Sequence, residues 1–263
     1  MNQFTKKNTK SSAPARGANP DRRQVKKKES TLDPRLFVKK AQPSGQEGFR
    51  TEKSFAELGL SAKLLQNILA KGYQTLTTIQ EQSIEPLLLG RDVMAISKTG
   101  SGKTAAFLLP VMNQLLLHPV TDSVGTLILV PTRELAIQIS QHVEGLSYFT
   151  NLSSIAIYGG SDAQNFVAEK KALQLGADIV VCTPGRLIAH LNMGYVNFKQ
   201  LKYLVLDEAD RMLDMGFQDD INKILAHLPT NRQSLLFSAN MPEKIRVLAR
   251  KILKDPVEIN IAI

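Results

Sequence analysis

Short apolar runs alternate with helical patterns along most of the chain. Each run has four or five residues and is bounded by turn or helix-capping residues, which is typical of a buried strand. The runs lie at 92–96, 126–130, 154–157, 178–182, 203–206 and 234–237. Helical periodicity follows at 103–117, 133–146, 162–175, 184–192, 219–227 and 242–252. Strands that alternate with helices predict an α/β fold: a doubly wound, mostly parallel sheet with helices on both faces.

Two further helical segments precede the first strand. Apolar residues recur at helical spacing from Leu58 to Leu69, and this segment ends at Gly72. A second helical stretch runs from about residue 77 to residue 89. The chain after Leu253 has the pattern of a last strand and a linker. We therefore predict one folded domain over 54–263, with 54–90 as its helical lead-in.

Residues 1–53 differ from the rest in charge and composition. They carry 14 Lys or Arg against five Asp or Glu and so hold the whole net charge of +9, while 54–263 is balanced. This uneven charge excludes a uniformly basic, histone-like domain. A segment so polar cannot bury enough apolar surface to offset the entropy of ordering, so we predict a disordered basic tail. The tail is either a solubilising segment or an electrostatic arm for phosphate backbones.

Several classes of protein are excluded by residues that the chain lacks. The one cysteine, Cys182, cannot form an intramolecular disulfide or a cysteine-based zinc site, and it is expected in the core. The sequence has no run of 18 apolar residues, and no apolar segment of a secretory signal follows the basic N-terminus. We expect a monomeric, cytoplasmic protein without a membrane partner.

The segment 97–104 has the residues of a phosphate-binding loop, between a predicted strand and a predicted helix. Its two glycines allow backbone N–H groups to approach phosphate oxygens, Lys103 can reach the outer phosphates, and the Thr104 hydroxyl can bind Mg²⁺. The strict motif has glycine where this chain has Ser97. The alternative, a plain glycine-rich turn, is disfavoured by the Gly-Lys-Thr triplet. The predicted phosphate-binding residues are Ser97, Lys98, Thr99, Gly100, Ser101, Gly102, Lys103 and Thr104.

An acidic motif follows the fifth apolar run and contains Asp207, Glu208 and Asp210. Carboxylates at the end of a buried strand can hold Mg²⁺ and water beside a triphosphate. We predict that Asp207 binds Mg²⁺ together with Thr104, largely through water, and that Glu208 orients or deprotonates the attacking water. Alone, these acids would indicate only a helix start. With the phosphate loop upstream, the predicted catalytic set is Lys103, Asp207 and Glu208.

Together with five shorter motifs, these two make residues 54–263 resemble the first RecA-like domain of a DEAD-box RNA helicase. Each short motif is weak alone, but all occur in the family's order and near its usual spacing. They are the Q motif (72–80) with an upstream aromatic (Phe55), motif Ia (131–136), the Gly-Gly doublet (159–160), motif Ib (183–186) and motif III (238–240). The resemblance implies a P-loop NTPase fold, ATP and Mg²⁺ as cofactors, RNA as partner, and ATP hydrolysis that unwinds or remodels RNA.

The resemblance also implies an adenine site. The Gln80 carboxamide can donate to and accept from the edge of adenine, whereas guanine reverses that pattern, so Gln80 favours ATP over GTP. Phe55 offers a ring face to the same base, and Tyr73 belongs to the Q motif. Without the resemblance, Gln80 would be interpreted as a surface residue and Phe55 as a core residue.

RNA contacts are implied for three loops that follow predicted strands, where open α/β sheets bind ligands. Hydroxyls and backbone N–H groups in these loops can hold a sugar-phosphate chain without reading its sequence. The implied residues are Pro131, Thr132, Arg133, Gly159, Gly160, Thr183, Pro184, Gly185 and Arg186. The Thr and Pro residues are also typical of helix starts, and Arg133 could equally form a surface ion pair with Glu134.

The chain departs from the family pattern at four positions, of which the last matters most. The departures are Leu76, Ser97, Lys98 and Asn240. The family's Ser-Ala-Thr motif III links the acidic motif to the RNA-engaged state, and here the implied coupling residues are Asp210, Ser238, Ala239 and Asn240. Asparagine can keep this link with altered geometry or weaken it. A weakened link would favour an ATP-gated RNA clamp or assembly platform with little unwinding.

The family uses two RecA-like domains, and the second supplies arginine fingers and half of the RNA channel. No second domain is recognisable after motif III. The resemblance therefore implies that this chain binds nucleotide but needs a second RecA-like domain for hydrolysis, because loss of an arginine finger costs about 10³–10⁵ in rate. An unrelated P-loop ATPase is the remaining alternative.

Overall fold

The computed structural model describes residues 50–160 and 163–261, so nearly all of the predicted tail lies outside the described residues. The strands are β1 (Arg50–Ser54), β2 (Thr75–Thr77), β3 (Val93–Ile96), β4 (Thr126–Leu129), β5 (Ser154–Ile157), β6 (Ile179–Cys182), β7 (Tyr203–Leu206), β8 (Gln233–Ser238) and β9 (Val257–Asn260). The helices are α1 (Ala62–Ala70), α2 (Thr78–Leu88), α3 (Lys103–Leu117), α4 (Arg133–Ser147), α5 (Ala163–Leu175), α6 (Pro184–Leu191), α7 (Ala209–Asp214), α8 (Gln218–Ala226) and α9 (Glu243–Ile252).

Seven strands form one sheet in the order β5-β6-β4-β7-β8-β3-β9, and every neighbouring pair is parallel. The six strands predicted from apolar runs all form, with each end within one residue of its predicted position. The predicted doubly wound α/β fold is therefore confirmed. Within the described ranges, no helix is both long and apolar enough to cross a membrane.

Two hydrophobic cores lie on opposite faces of the sheet, because successive strand residues point to opposite sides. In β3, Val93 packs with the layer of α1 to α4, whereas Met94 packs with the layer of α5 to α9. The rings of Phe107 and Phe237 meet in the first core with centroids 5.3 Å apart. Cys182 lies in the second core, where burial raises the pKa of its thiol, so its predicted core role is confirmed.

Two features of the fold are absent from the hydrophobic pattern. The first is the pair of strands β1 and β2, which are antiparallel in a separate two-stranded sheet, with Arg50 opposite Thr77. The strand β1 therefore includes Arg50–Lys53, which lie before the predicted boundary at 54. The sequence of β1 is Arg-Thr-Glu-Lys-Ser, which has no apolar alternation to detect. The second is α7, whose six residues are too few to show a helical period.

The strand order divides the predicted site loops into two groups. Carboxyl ends of parallel strands meet at one edge of the sheet. The loops after the neighbouring strands β7, β8 and β3 carry the acidic motif, motif III and the phosphate loop, and we call this region the phosphate-loop half. The loops after β5, β6 and β4 carry the Gly-Gly doublet, motif Ib and motif Ia, and we call this region the β4–β6 half.

Candidate functional site

The phosphate loop joins β3 to α3 through a turn that needs two glycines. Gly100 and Gly102 have φ angles of 84° and 98°, in the left-handed region that favours glycine. The hydroxyls of Ser97 and Ser101 are 2.9 Å apart and hydrogen-bonded across the loop. Ser97, which replaces the glycine of the strict motif, therefore links the start of the loop to Ser101 by a hydrogen bond.

The side chain of Lys103 points back into this loop from the first turn of α3. Its Nζ donates to the backbone oxygen of Ser97 at 2.8 Å, and the residue is only 7% exposed. An ammonium group has three N–H donors, so a bond to one carbonyl leaves capacity for phosphate oxygens. The loop is therefore a preformed cationic cradle.

The acidic motif lies at the end of β7, beside this cradle. Asp207 is 3% exposed, and burial, with Glu208 and Asp210 close by, raises its pKa to about 6 although Lys103 opposes the shift. The backbone N–H of Glu208 donates to Asp207 Oδ1 at 3.0 Å. Glu208 has a φ of 51°, which is strained for a non-glycine residue, and its carboxylate pairs with Arg211 at 3.1 Å. This strained turn fixes the direction of the Glu208 side chain.

The residues at this point fit a magnesium ion. Lys103 compensates the buried Asp207 carboxylate only in part, because the pKa of Asp207 is still raised, and a cation at Asp207 would supply further positive charge. Thr104 lies on the wall of the same cleft and carries a hydroxyl. Carboxylate, hydroxyl and phosphate oxygens, together with water, are the ligands that Mg²⁺ prefers.

We expect Asp207→Asn to stabilise the nucleotide-free protein. Between pH 3.8, the ordinary value, and about 6, the folded state binds more protons at Asp207 than the unfolded state, so stability falls as pH rises. The wild type loses roughly 3 kcal/mol of unfolding free energy in all, for about two pKa units, once the pH is above that window. Asp207→Asn avoids this loss. Urea unfolding should therefore show the variant more stable by that amount at neutral pH, and by about a third of it near pH 4.5. Asp219→Asn, exposed on α8, is the control, and equal stability of Asp207→Asn and wild type would contradict the prediction.

Gln80 connects the Q motif to the phosphate loop. It is 6% exposed, so the surface interpretation is wrong. Its Oε1 accepts from the Thr77 backbone N–H at 2.9 Å, and its Nε2 donates to the Gly102 backbone oxygen at 3.2 Å. A carboxamide has a second lone pair and a second N–H, so both atoms retain capacity to bind the edge of a base. We call this pair of bonds the Gln80 bridge.

We expect Gly102→Ala to break the Gln80 bridge. A Cβ at position 102 would lie 2.6 Å from Gln80 Nε2 and 2.8 Å from Thr77 Oγ1. Gly90→Ala is the matched control, because Gly90 also has a positive φ but has open space around the Cβ position. Overpacking should cost Gly102→Ala about 1–3 kcal/mol more than the control in thermal unfolding. An equal loss in both variants would show that the close approach to Gln80 imposes no constraint.

A cleft of about 350 Å³ joins the predicted base and phosphate residues. Phe55 and Tyr73 have ring centroids 6.0 Å apart, and they are 2% and 38% exposed. Phe55 therefore serves the core and also reaches the cleft, while Tyr73 presents more ring surface. The predicted residues on the wall are Phe55, Tyr73, Gln80, Thr99, Gly100, Gly102, Lys103, Thr104, Asp207 and Glu208. Of the predicted loop residues, all described here, only Ser97, Lys98 and Ser101 lie off this wall.

Sequence reasoning missed another side of the cleft. Gln138 and His142 of α4 and Lys71 after α1 also line it. Burial, followed by the nearby Lys71 ammonium, lowers the pKa of His142. No motif marks these residues, because the packing of α1 against α4 brings them together.

Motif III contacts the acidic motif directly. Asp210 Oδ2 accepts from the Asn240 backbone N–H at 3.1 Å and from Asn240 Nδ2 at 3.2 Å. Asp210 Oδ1 accepts from the Ala239 backbone N–H at 3.5 Å. The Ser238 hydroxyl donates to the Asn240 backbone oxygen at 2.7 Å, which closes the motif on itself. The predicted coupling residues are thus brought together, and at the departure the Asn240 side chain itself bonds to Asp210.

Motif Ia and the Gly-Gly doublet meet in the β4–β6 half. Thr132 caps α4 by accepting from the Leu135 backbone N–H at 3.3 Å, in line with a helix start. Arg133 is exposed and lies 5.0 Å from the ring centroid of Tyr158, next to the doublet. Among the described residues, Arg133 and Glu134 form no ion pair, so that alternative is wrong. Tyr158 was missed, because a lone tyrosine at a strand end carries no motif.

Motif Ib begins α6, with Thr183 as the capping position and Pro184 as the first helical residue. The Thr183 backbone N–H donates to the Ile157 oxygen at 3.0 Å, which holds motif Ib beside the end of β5. The Arg186 side chain is only 16% exposed, and its Nε donates to Glu169 at 2.8 Å. Arg186 is therefore held by a protein carboxylate, unlike the exposed Arg133.

A glycine-rich phosphate loop after one parallel strand and a buried carboxylate after another define a P-loop nucleotide-binding domain. The chain belongs to the DEAD/DEAH box helicase family, whose model matches residues 77–248. It is 44% identical over 211 residues to the ATP-dependent RNA helicase DeaD of Escherichia coli strain K12, covering 80% of this chain and 33% of that protein.

Two other similar proteins agree with this assignment. The pre-mRNA-processing ATP-dependent RNA helicase PRP5 of Gibberella zeae is 42% identical over 235 residues, covering 87% of this chain and 20% of that protein. The crystal structure of a DEAD box protein from Methanococcus jannaschii matches with a TM-score of 0.73 and 41% identity, covering 79% of this chain and 55% of that one. The chain thus spans about a third of the DeaD helicase and a fifth of PRP5.

Proposed function

We propose that this chain is the first RecA-like domain of an ATP-dependent RNA helicase. It binds ATP with Mg²⁺ in the cleft and RNA sugar-phosphate at the β4–β6 half. A second RecA-like domain completes the site for ATP hydrolysis, which drives unwinding or remodelling of RNA. The Gln80 bridge carries the proposal, because the side chain suited to adenine is bonded to the loop suited to phosphates.

Each part of the phosphate-loop half has a role on this proposal. Lys103 and the loop N–H groups hold the phosphates. Asp207 and Thr104 hold Mg²⁺, which neutralises negative charge on the triphosphate when bound. Glu208 orients the attacking water and accepts its proton. Asp210 transmits the state of this site to motif III through its three hydrogen bonds.

Nucleotide selectivity tests this function. The wild-type chain should prefer ATP to GTP in competition against a fluorescent ADP, and Gln80→Ala should lose most of that preference. The ratio of the two affinities is the readout, because Gln80→Ala also breaks the bridge and weakens both nucleotides. Gln66→Ala, exposed on α1, is the control. An unchanged ratio in Gln80→Ala would favour an unrelated P-loop ATPase.

A second candidate function is an ATP-gated RNA clamp with little unwinding. The observation that favours it is the bond from Asn240 Nδ2 to Asp210 Oδ2, because a carboxamide in place of the family's threonine hydroxyl gives the link between the two motifs a different geometry. In the full-length protein, a clamp would hold a short RNA duplex with ATP and with a non-hydrolysable analogue alike. A helicase would release the strand with ATP, and Asn240→Thr should then change the release rate.

The basic tail is proposed as an electrostatic arm for RNA. Each phosphate neutralised adds about −0.7 to the slope of log K against log salt for single strands. If roughly five basic residues engage, residues 1–263 should show a slope steeper by about 3.5 than residues 50–263, which retain β1. RNA binding at several salt concentrations measures both slopes. Unchanged slope and affinity on truncation would leave the tail as a solubilising segment.

A further inference from the structure

A buried polar cluster lies beneath motif Ib, and no sequence motif marks it. Glu169 of α5 is 4% exposed, and its Oε2 contacts both Arg186 Nε and His190 Nε2 of α6 at 2.8 Å. His190 is fully buried, and its Nδ1 is hydrogen-bonded to the Tyr195 hydroxyl. The Phe166 ring stacks on His190 at 4.3 Å and lies 4.6 Å from the Arg186 guanidinium. We call these five residues the Glu169 cluster.

The charges and protons within the cluster are matched. Burial lowers the pKa of His190, so the ring is neutral at pH 7. A carboxylate only accepts hydrogen bonds, so the ring proton is on Nε2, facing Glu169. Nδ1 then accepts from the Tyr195 hydroxyl, whose pKa burial raises further. Among the described residues, the Glu169 carboxylate faces the Arg186 guanidinium, and such pairing is the condition under which a buried charge is tolerated.

The cluster joins the two helices that carry motif Ib and follow the Gly-Gly doublet. Arg186 and His190 lie one turn apart on α6, which begins directly after Thr183. Glu169 lies on α5, which begins three residues after Gly160. The cluster therefore fixes how these two helix starts lie relative to each other. Both helix starts belong to loops proposed to hold the RNA backbone.

We propose that Glu169, His190 and Tyr195 are positioning residues for the RNA site. They hold Arg186 and the start of α6 against α5, so that motif Ib and the doublet form one rigid phosphate-binding surface. On this view Arg186 contributes by pairing with Glu169. The exposed Arg133 supplies the cation that faces RNA. The inference rests on the proposed RNA binding of this domain.

The direction in which one substitution changes RNA affinity separates a positioning role from simple electrostatics. Glu169→Gln removes a negative charge near RNA, so charge alone predicts tighter RNA binding. Positioning predicts weaker binding, by about tenfold, because the Arg186 guanidinium loses its charge-assisted bond to Glu169. Tyr195→Phe keeps the net charge and the ring and should weaken RNA binding by about threefold.

The experiment measures binding of a short single-stranded RNA to the full chain at several salt concentrations. Arg133→Ala should make the slope of log K against log salt shallower by about 0.7, whereas Glu169→Gln and Tyr195→Phe should leave the slope unchanged. Mg·ADP affinity should stay at the wild-type value in all three variants, which shows that each is folded. Because Tyr195→Phe preserves packing, it remains informative if Glu169→Gln unfolds.

Two results would overturn the positioning role. One is unchanged RNA affinity in both Glu169→Gln and Tyr195→Phe despite reduced stability, which would make the cluster structural only. The other is tighter binding by Glu169→Gln, which would make the cluster a source of charge repulsion. A wild-type chain that binds no RNA would instead contradict the proposed function itself.

Discussion

Replacing Lys103 by alanine should lower the affinity for Mg·ATP by at least about 100-fold, or about 2.7 kcal/mol. The Lys103 ammonium is buried inside the phosphate loop and faces Asp207 across the cleft. Its removal leaves a buried carboxylate and a triphosphate without their nearest protein cation. Calorimetric titration of Mg·ATP into the wild-type chain and the variant measures the loss.

Lys63→Ala is the matched control for that titration, because Lys63 is exposed on α1 and lies off the cleft wall. It should bind Mg·ATP like the wild type. Equal affinities for wild type and Lys103→Ala would remove the basis for assigning 97–104 as the phosphate loop.

Replacing Glu208 by glutamine should stop ATP turnover in a longer protein that includes the second RecA-like domain. Glutamine has nearly the same shape but cannot accept a proton from the attacking water. General acid–base catalysis contributes about 10²–10⁴ in rate, and the loss should fall in that range. Steady-state phosphate release with saturating RNA measures it, and ATP and RNA affinities should stay within about threefold of the wild type.

The control for this substitution is Glu144→Gln, which makes the same chemical change at an exposed position on α4. Its turnover should equal that of the wild type. A Glu208→Gln protein that releases phosphate at a near wild-type rate would assign the handling of water to another group.

Most of the fold was predictable because its strands are buried on both faces. Runs such as 126–130 are continuously apolar and are separated by helical periods, which leaves few alternatives to a parallel sheet. The strand β1 was not predictable, because all its residues are polar and its pairing with β2 lies outside the main sheet. A hydrophobic pattern records only segments that bury apolar surface.

The site was predictable where its residues are close in sequence. The phosphate loop and the acidic motif are continuous segments, and the carboxyl edge of the sheet brings them together as expected. Contacts between distant segments were not predictable in detail. The bond between Gln80 and Gly102 and the pairing of Glu169 with Arg186 depend on how helices pack. Periodicity does not encode that packing.

On the proposed function, one edge of the sheet is divided into a nucleotide site and an RNA site. Amide hydrogen exchange of the full chain, alone, with Mg·ADP and with single-stranded RNA, distinguishes the two regions. Mg·ADP should slow exchange at 75–80 and 97–104, and RNA should slow it at 131–136, 158–160 and 183–187. Protection by Mg·ADP that spares 97–104, or protection by RNA confined to 218–226 and 243–252, would contradict the division.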